Sequence, residues 1–154
     1  MANRTDFVAR GRQTVGDAAV DGLLAGMAAG VVMGVALVLM ELPDDVGQLQ
    51  TLGRFDPAGG SAVAGGLLHL AVSGIYGVIF AVGNRWLTGW WARARNYEWA
   101  IGTGFGLAIW LAAQFTFLPG LDSALAATPP HSFAVAHLVY GGMLGYLIGR
   151  QQLN

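Results

Sequence analysis

The sequence contains no cysteine, and that absence excludes three kinds of chemistry. Disulfide bonds, thiolate metal sites and cysteine nucleophiles all depend on this residue. Lysine is absent as well, so every basic residue is an arginine. The net charge is −1, which gives no reason to expect a polyanionic partner, and we predict no binding to nucleic acid.

Charged residues of either sign are scarce, at 11% of the chain against about 25% in a typical soluble domain. Four long stretches carry no charge at all. Because about 20 apolar residues cross a bilayer as a helix, these stretches predict transmembrane helices at residues 18–42, 61–83, 100–118 and 132–149. The composition excludes a soluble enzyme and a disordered tail. It predicts an all-α membrane protein, a single-domain four-helix bundle.

The first helix has a predicted start near Val15. Thr14 and Asp17 form the pattern that caps helix N-termini, a hydroxyl residue followed three positions later by an acid. The polar residues before them contain no short apolar run with a small-residue cleavage site, so they do not read as a signal peptide. We therefore expect the first hydrophobic segment to remain in the mature protein.

The arginines fall unevenly on the two sides of the predicted membrane. Those on one side are Arg4, Arg10, Arg12, Arg85, Arg93, Arg95 and Arg150, and only Arg54 falls on the other. Cytoplasmic loops of membrane proteins carry an excess of arginine and lysine. The distribution predicts that both termini lie in the cytoplasm, with the chain in the inner membrane of a bacterium.

Two halves of the sequence match each other. A shift of 68 residues pairs His69 with His137, Ser73 with Gly141 and Gly77 with Gly145, and a shift of 76 pairs Gly26 with Gly102 and Gly30 with Gly106. The match predicts two tandem helical hairpins, at residues 15–83 and 99–150, with the same topology. Such a duplication implies a pseudo-twofold axis along the membrane normal.

Glycine provides 24 of the 154 residues, more than twice its usual share of about 7%. Many of these glycines lie four residues apart, so they share one helix face. Small residues on such a face let helix backbones approach closely inside lipid. The predicted packing residues are Gly22, Gly26, Gly30, Gly34, Ser73, Gly77, Gly141 and Gly145.

The link between the second and third predicted spans is rich in aromatic residues and arginine. Its notable members are Trp86, Trp90, Trp91, Arg93, Arg95 and Trp99. Amphipathic aromatic rings and arginines suit the headgroup level, which favours a membrane-surface anchor. Tryptophan and arginine are also enriched where proteins bind each other, so contact with a neighbouring subunit is a second interpretation.

The two histidines at repeated positions are the most informative polar residues. His69 and His137 each lie on a small-residue face, so we predict that both point toward the interface between the hairpins at one depth in the outer leaflet. One interpretation is structural: a neutral imidazole bonded to Ser73, Tyr140 or a backbone carbonyl. The other is that the pair supplies the axial ligands of a haem or another tetrapyrrole.

The remaining polar residues predict no chemistry. No predicted span carries an aspartate, glutamate, lysine or arginine near its middle, which counts against an ion-coupled transporter. Gln114 is interpreted as a packing residue between helices. The chain has no plausible serine, histidine and aspartate arrangement in an aqueous site, so we predict no enzyme activity.

The paired helices with the pattern His-Leu-x-x-small-Gly-x-x-Gly resemble those of small four-span bacterial membrane proteins of uncharacterised function. The resemblance covers spans two to four and implies the same duplicated helical hairpin. It supplies no catalytic residues that could be transferred to this sequence.

Three functional hypotheses follow. The first is a non-catalytic accessory subunit of a larger membrane assembly, respiratory or photosynthetic, with other integral membrane subunits and lipid as its partners and no cofactor of its own. The second is a subunit for electron transfer or pigment binding, with haem b or another tetrapyrrole at His69 and His137. The third is a small oligomeric pore or carrier, which the missing intramembrane charges disfavour.

Overall fold

The structure is a computed structural model that describes residues 14–41, 48–58, 60–120, 125 and 128–151. Within these residues every regular element is helical, which confirms the predicted all-α class. The α-helices are α1 (Val15–Glu41), α2 (Gln48–Gly53), α3 (Ala62–Trp90), α4 (Glu98–Ala112) and α5 (Pro130–Gln151). Three shorter segments are a 3-10 helix at Ala92–Tyr97, a π-helix at Ala113–Phe117 and a 3-10 turn at Leu118–Gly120. Predictions that involve Arg4, Arg10 and Arg12 lie outside the described residues.

Three helices are long and apolar enough to cross a membrane: Val15–Met40 of α1, and the whole of α3 and α5. Their length and composition are those of membrane-spanning helices, which is consistent with a membrane protein. The third predicted span, residues 100–118, falls on α4, which has 15 residues and a length of about 23 Å. That length is less than the hydrocarbon thickness of about 30 Å, although α4 continues directly into the π segment.

The ends of the helices follow local hydrogen bonds. α1 begins at Val15, as predicted, because the backbone N–H of Asp17 donates to Thr14 Oγ1 at 3.1 Å and the backbone N–H of Thr14 donates to Asp17 Oδ2 at 2.7 Å. α3 extends to Trp90, beyond the predicted end at residue 83. No proline interrupts that stretch, so the helix continues. Arg85, Trp86 and Trp90 therefore lie on α3 and not in a loop.

A tight turn precedes α3. The backbone N–H groups of Ala58 and Ser61 donate to the two carboxylate oxygens of Asp56 at 3.0 and 2.9 Å. These bonds favour the charged form and hold the pKa of Asp56 below its ordinary value. Gly60 has φ of +80°, a left-handed conformation that suits glycine. The turn sets the position of Phe55, whose ring centroid lies 4.7 Å from that of His69.

α1 and α3 cross where both backbones lack side chains. A Cβ added to Gly26 would lie 2.8 Å from the Cα of Gly77 and closer still to the carbonyl oxygen of Ser73. A Cβ on Gly22 would lie 2.5 Å from the carbonyl oxygen of Gly77, and one on Gly30 would lie 2.6 Å from the Cβ of Ser73. Real Cβ atoms do not make contacts this short. Glycine is therefore required at these positions for the antiparallel helices to approach so closely.

α4 and α5 cross in the same way. A Cβ on Gly102 would lie 2.7 Å from the Cα of Gly145 and closer to the carbonyl oxygen of Gly141. A Cβ on Gly106 would meet the carbonyl oxygen of His137. Gly102, Gly141 and Gly145 are the residues that the two sequence shifts pair with Gly26, Ser73 and Gly77. Residues paired by the shifts thus make corresponding contacts in the two helix pairs.

α1 also packs along α5, through a second buried face. The buried residues of α1 in the hydrophobic core are Ala25, Ala29, Met33 and Leu37, and those of α5 include Ala136, Tyr140, Leu144 and Ile148. α1 therefore joins the two close pairs. α3 and α4 contact each other only sparsely, with the rings of Phe80 and Phe105 5.2 Å apart between them.

The crossing of α4 and α5 yields a matched pair of stability variants. Gly102→Ala should lower the free energy of unfolding by about 1–3 kcal/mol, because its methyl group would overlap backbone atoms. Gly104→Ala on the same helix should be neutral or stabilising by up to about 1 kcal/mol, since a Cβ there meets no atom within 4 Å. Unfolding titrations in mixed micelles measure both. Equal stability of the two variants would contradict the close crossing.

Candidate functional site

An apolar cavity of about 340 Å³ lies between the two close helix pairs. Its lining comes from α1, α3, α4, α5 and the connecting segments: Met33, Phe55, Leu68, His69, Val72, Ser73, Tyr76, Ile109, Ala113, Leu118, Leu125, Phe133, His137 and Tyr140. Both histidines singled out by the sequence line this cavity. The structure therefore brings the two repeated positions to one site.

His69 is held across the crossing of α1 and α3. Its Nε2 lies 2.9 Å from the carbonyl oxygen of Gly30, and the side chain is buried. A carbonyl oxygen can only accept, so the imidazole donates from Nε2, and in the neutral ring Nδ1 is then an acceptor. This assignment of the proton rests on the hydrogen-bond partner. Gly34, one turn further along α1, lies beside the ring, and a Cβ there would make an ordinary van der Waals contact with Nε2 at 3.7 Å.

His137 is held within its own helix. Its Nδ1 lies 2.8 Å from the carbonyl oxygen of Phe133, one turn earlier in α5. The rings of these two residues meet edge to face, with centroids 4.4 Å apart. By the same reasoning the imidazole donates from Nδ1, and Nε2 is the acceptor. The two histidines therefore have opposite tautomers.

The second nitrogen of each histidine is available to a ligand. Nδ1 of His69 and Nε2 of His137 make no hydrogen bond with any residue that the structure describes. Both histidine side chains are 7% exposed, so each of these nitrogens lies in a largely buried ring. The two histidines in the cavity lining thus each carry one acceptor nitrogen that no described residue pairs with.

Hydroxyl groups complete the polar part of the lining. The Tyr140 hydroxyl donates to the carbonyl oxygen of Ser73 at 2.7 Å and so ties α5 to α3 beside the cavity. The side chains of Tyr76 and Ser73 add hydroxyls that can donate or accept. None of the described lining residues is an arginine, an aspartate or a glutamate.

A π-helical segment borders the cavity. Ala113, the first residue of that segment, and Leu118, which follows it, both belong to the lining. Short π segments inside helices occur frequently at functional sites. Gln114, which the sequence places as a packing residue, lies in this segment and is half-buried.

The cavity fits haem b poorly in size and charge. Its volume is at the lower end of the range for small-molecule pockets, about 300–1,000 Å³. Haem b carries two carboxylates, and the lining residues that the structure describes include no arginine to pair with them. One feature does match a haem ligand: metal-binding histidines commonly donate their other ring N–H to a carbonyl oxygen, as both histidines do here. No group of three or more histidine, aspartate or glutamate side chains that could hold a metal ion occurs among the described residues.

A second buried polar cluster lies at the opposite end of the bundle, where the sequence predicts none. Glu98 is 4% exposed, and Asn84 Nδ2 donates to its Oε1 at 3.1 Å. Thr88 Oγ1 donates to the carbonyl oxygen of Asn84 at 2.9 Å. The available signal was the glycine spacing on α5: Gly145 and Gly149 leave room for the backbone and the carboxylate of Glu98.

The predicted surface residues lie at this same end. Trp90 and Trp86 are 88% and 68% exposed on α3, and Trp91 and Trp99 are also exposed. Arg93 and Arg95 are exposed in the 3-10 segment that follows α3. The structure therefore brings the six residues to one end of the bundle.

His69 also borders a second, more open space. A groove of about 540 Å³ runs between α1 and α3, and its lining includes Gly34, Val35, Leu67 and His69. The side chain of His69 thus lies between the groove and the cavity.

Comparison with known proteins finds no matching family model, no similar curated protein and no similar solved structure. The resemblance to small four-span bacterial membrane proteins therefore stays a prediction.

Proposed function

We propose that the chain is a four-span protein of a bacterial cytoplasmic membrane with both termini inside, and that α4 with its π segment forms the fourth crossing. The distribution of charge supports this orientation. Among the described residues, Arg85, Arg93, Arg95 and Arg150 lie at the end of the bundle where α3 and α5 finish, and Arg54 lies at the other end. The excess of arginine belongs on the cytoplasmic side.

The proposed role is that of a non-catalytic accessory subunit in a larger membrane assembly. The observation that carries it is the pair of exposed tryptophans at the end of a long helix. The 29 residues of α3 span about 44 Å, against about 30 Å of hydrocarbon in a bilayer. Trp90 ends α3 and Trp91 follows it, and their side chains are 88% and 53% exposed beside the arginines of the next segment. Covering large aromatic side chains against a partner is a strong source of binding energy.

The orientation can be measured with single cysteines, since the chain has none of its own. Ala58→Cys, in the exposed turn before α3, should react with a membrane-impermeant maleimide on intact spheroplasts. Gln151→Cys, exposed at the end of α5, should react only after the membrane is opened. The reverse pattern, or reaction of both on intact spheroplasts, would show that the proposed topology is wrong.

The accessory role is tested by co-purification from native membranes. Replacement of Trp90 and Trp91 by alanine should reduce the recovery of partner chains about tenfold or more, because interface tryptophans carry much of the binding energy. Membrane insertion should not change. Quantitative mass spectrometry of the co-purified chains gives the measurement.

Phe115→Ala is the matched control for this experiment. Phe115 is an aromatic residue, 71% exposed, on the π segment at the opposite end of the fourth crossing. It should leave recovery of the partner unchanged. A wild-type chain that purifies alone as a stable monomer in mild detergent would contradict the accessory role.

A further inference from the structure

The cavity between the helix pairs has a chemistry of its own. The residues described in its lining are apolar or neutral, so among them a charged ligand would lose its hydration without gaining an ion pair. Phe55, Tyr76 and Phe133 give it aromatic walls. The ligand that fits such walls is neutral, contains an aromatic ring and partitions into lipid.

The histidines determine whether the polar groups of such a ligand must donate or accept hydrogen bonds. Each ring donates one N–H to a backbone carbonyl, and each leaves an acceptor nitrogen that no described residue pairs with. Both side chains are 7% exposed, so these acceptors lie in a largely dry environment. A buried acceptor that stays unpaired costs free energy, and a hydroxyl donor removes that cost.

We propose that the cavity binds a lipid-soluble aromatic alcohol, of the phenol or hydroquinone class, whose hydroxyl groups donate to Nδ1 of His69 and Nε2 of His137. A quinone or an aromatic ether of the same shape offers only acceptors, and two acceptors facing each other cannot form a hydrogen bond. At the two histidine nitrogens the site therefore selects donors over acceptors. This ligand site does not depend on the accessory role, since it concerns the purified chain alone.

The test compares two ligands of nearly the same shape. Dihydroxynaphthalene carries two donors, and its dimethyl ether carries none. The purified full-length chain in mild detergent is titrated with each, and binding is followed by ligand fluorescence. The diol should bind about tenfold or more tightly than the ether, because the ether leaves the buried acceptors unpaired.

Histidine variants locate the effect. His69→Phe and His137→Phe keep a ring of similar size and remove the acceptor. Each should weaken binding of the diol about tenfold while binding of the ether stays unchanged. Each ligand is compared with itself across variants, so its partition into detergent cancels. Tyr146→Phe, exposed on α5 and absent from the cavity lining, is the control and should change neither affinity.

The outcomes separate the alternatives. The proposal is supported if the wild-type chain binds the diol more tightly than the ether and if this preference is smaller in either histidine variant. If a histidine variant does not fold, the wild-type comparison of diol and ether decides, with each affinity corrected for the measured partition of that ligand into protein-free detergent. Equal binding of both ligands, or binding of neither, overturns the proposal. A Soret band on addition of haem b that disappears in either variant also overturns it, in favour of a tetrapyrrole. The co-purification experiment tests the accessory role, and its result does not depend on the outcome of these ligand titrations.

Discussion

The structure depends on the close contact of backbones at two glycine crossings. Inside lipid the hydrophobic effect does not hold helices together, so van der Waals contact between closely approaching backbones must do so. At Gly26 and Gly77, and again at Gly102 and Gly145, there is no space for a side chain. The same approach brings α1 near enough for His69 to reach the carbonyl oxygen of Gly30. The crossings therefore position the site as well as the helices.

The cavity is the consequence of packing two tight pairs against each other through α1. α1 presents its glycine face to α3 and its alanine-rich face to α5, and α3 and α4 make few contacts. The space that remains between them is lined by side chains from both pairs. Polar residues close the other end of the bundle, where Asn84 donates to Glu98. The apolar cavity with its two histidines and the buried cluster of Asn84 and Glu98 thus lie at opposite ends of the same four helices.

The features that could be predicted from the sequence are those encoded by local spacing. Thr14 and Asp17 give the start of α1, and the four-residue spacing of Gly22, Gly26 and Gly30 gives a face that packs on α3. The features that could not be predicted depend on contacts between distant segments. The burial of Glu98 depends on Gly149 of α5, and the place of Phe55 beside His69 depends on a turn with a left-handed glycine. The π segment after α4 leaves no periodic signal at all.

The account of the site depends most directly on the proton positions of the two histidines. Nitrogen NMR of histidine-labelled protein in detergent reports which ring nitrogen carries the proton. The signals of the third histidine, the exposed His131, are identified because they are missing from the spectrum of a His131→Gln variant. We expect His69 to carry its proton on Nε2 and His137 to carry its proton on Nδ1. The same tautomer at both residues, or protons on both nitrogens of either ring, would contradict two acceptors facing one cavity.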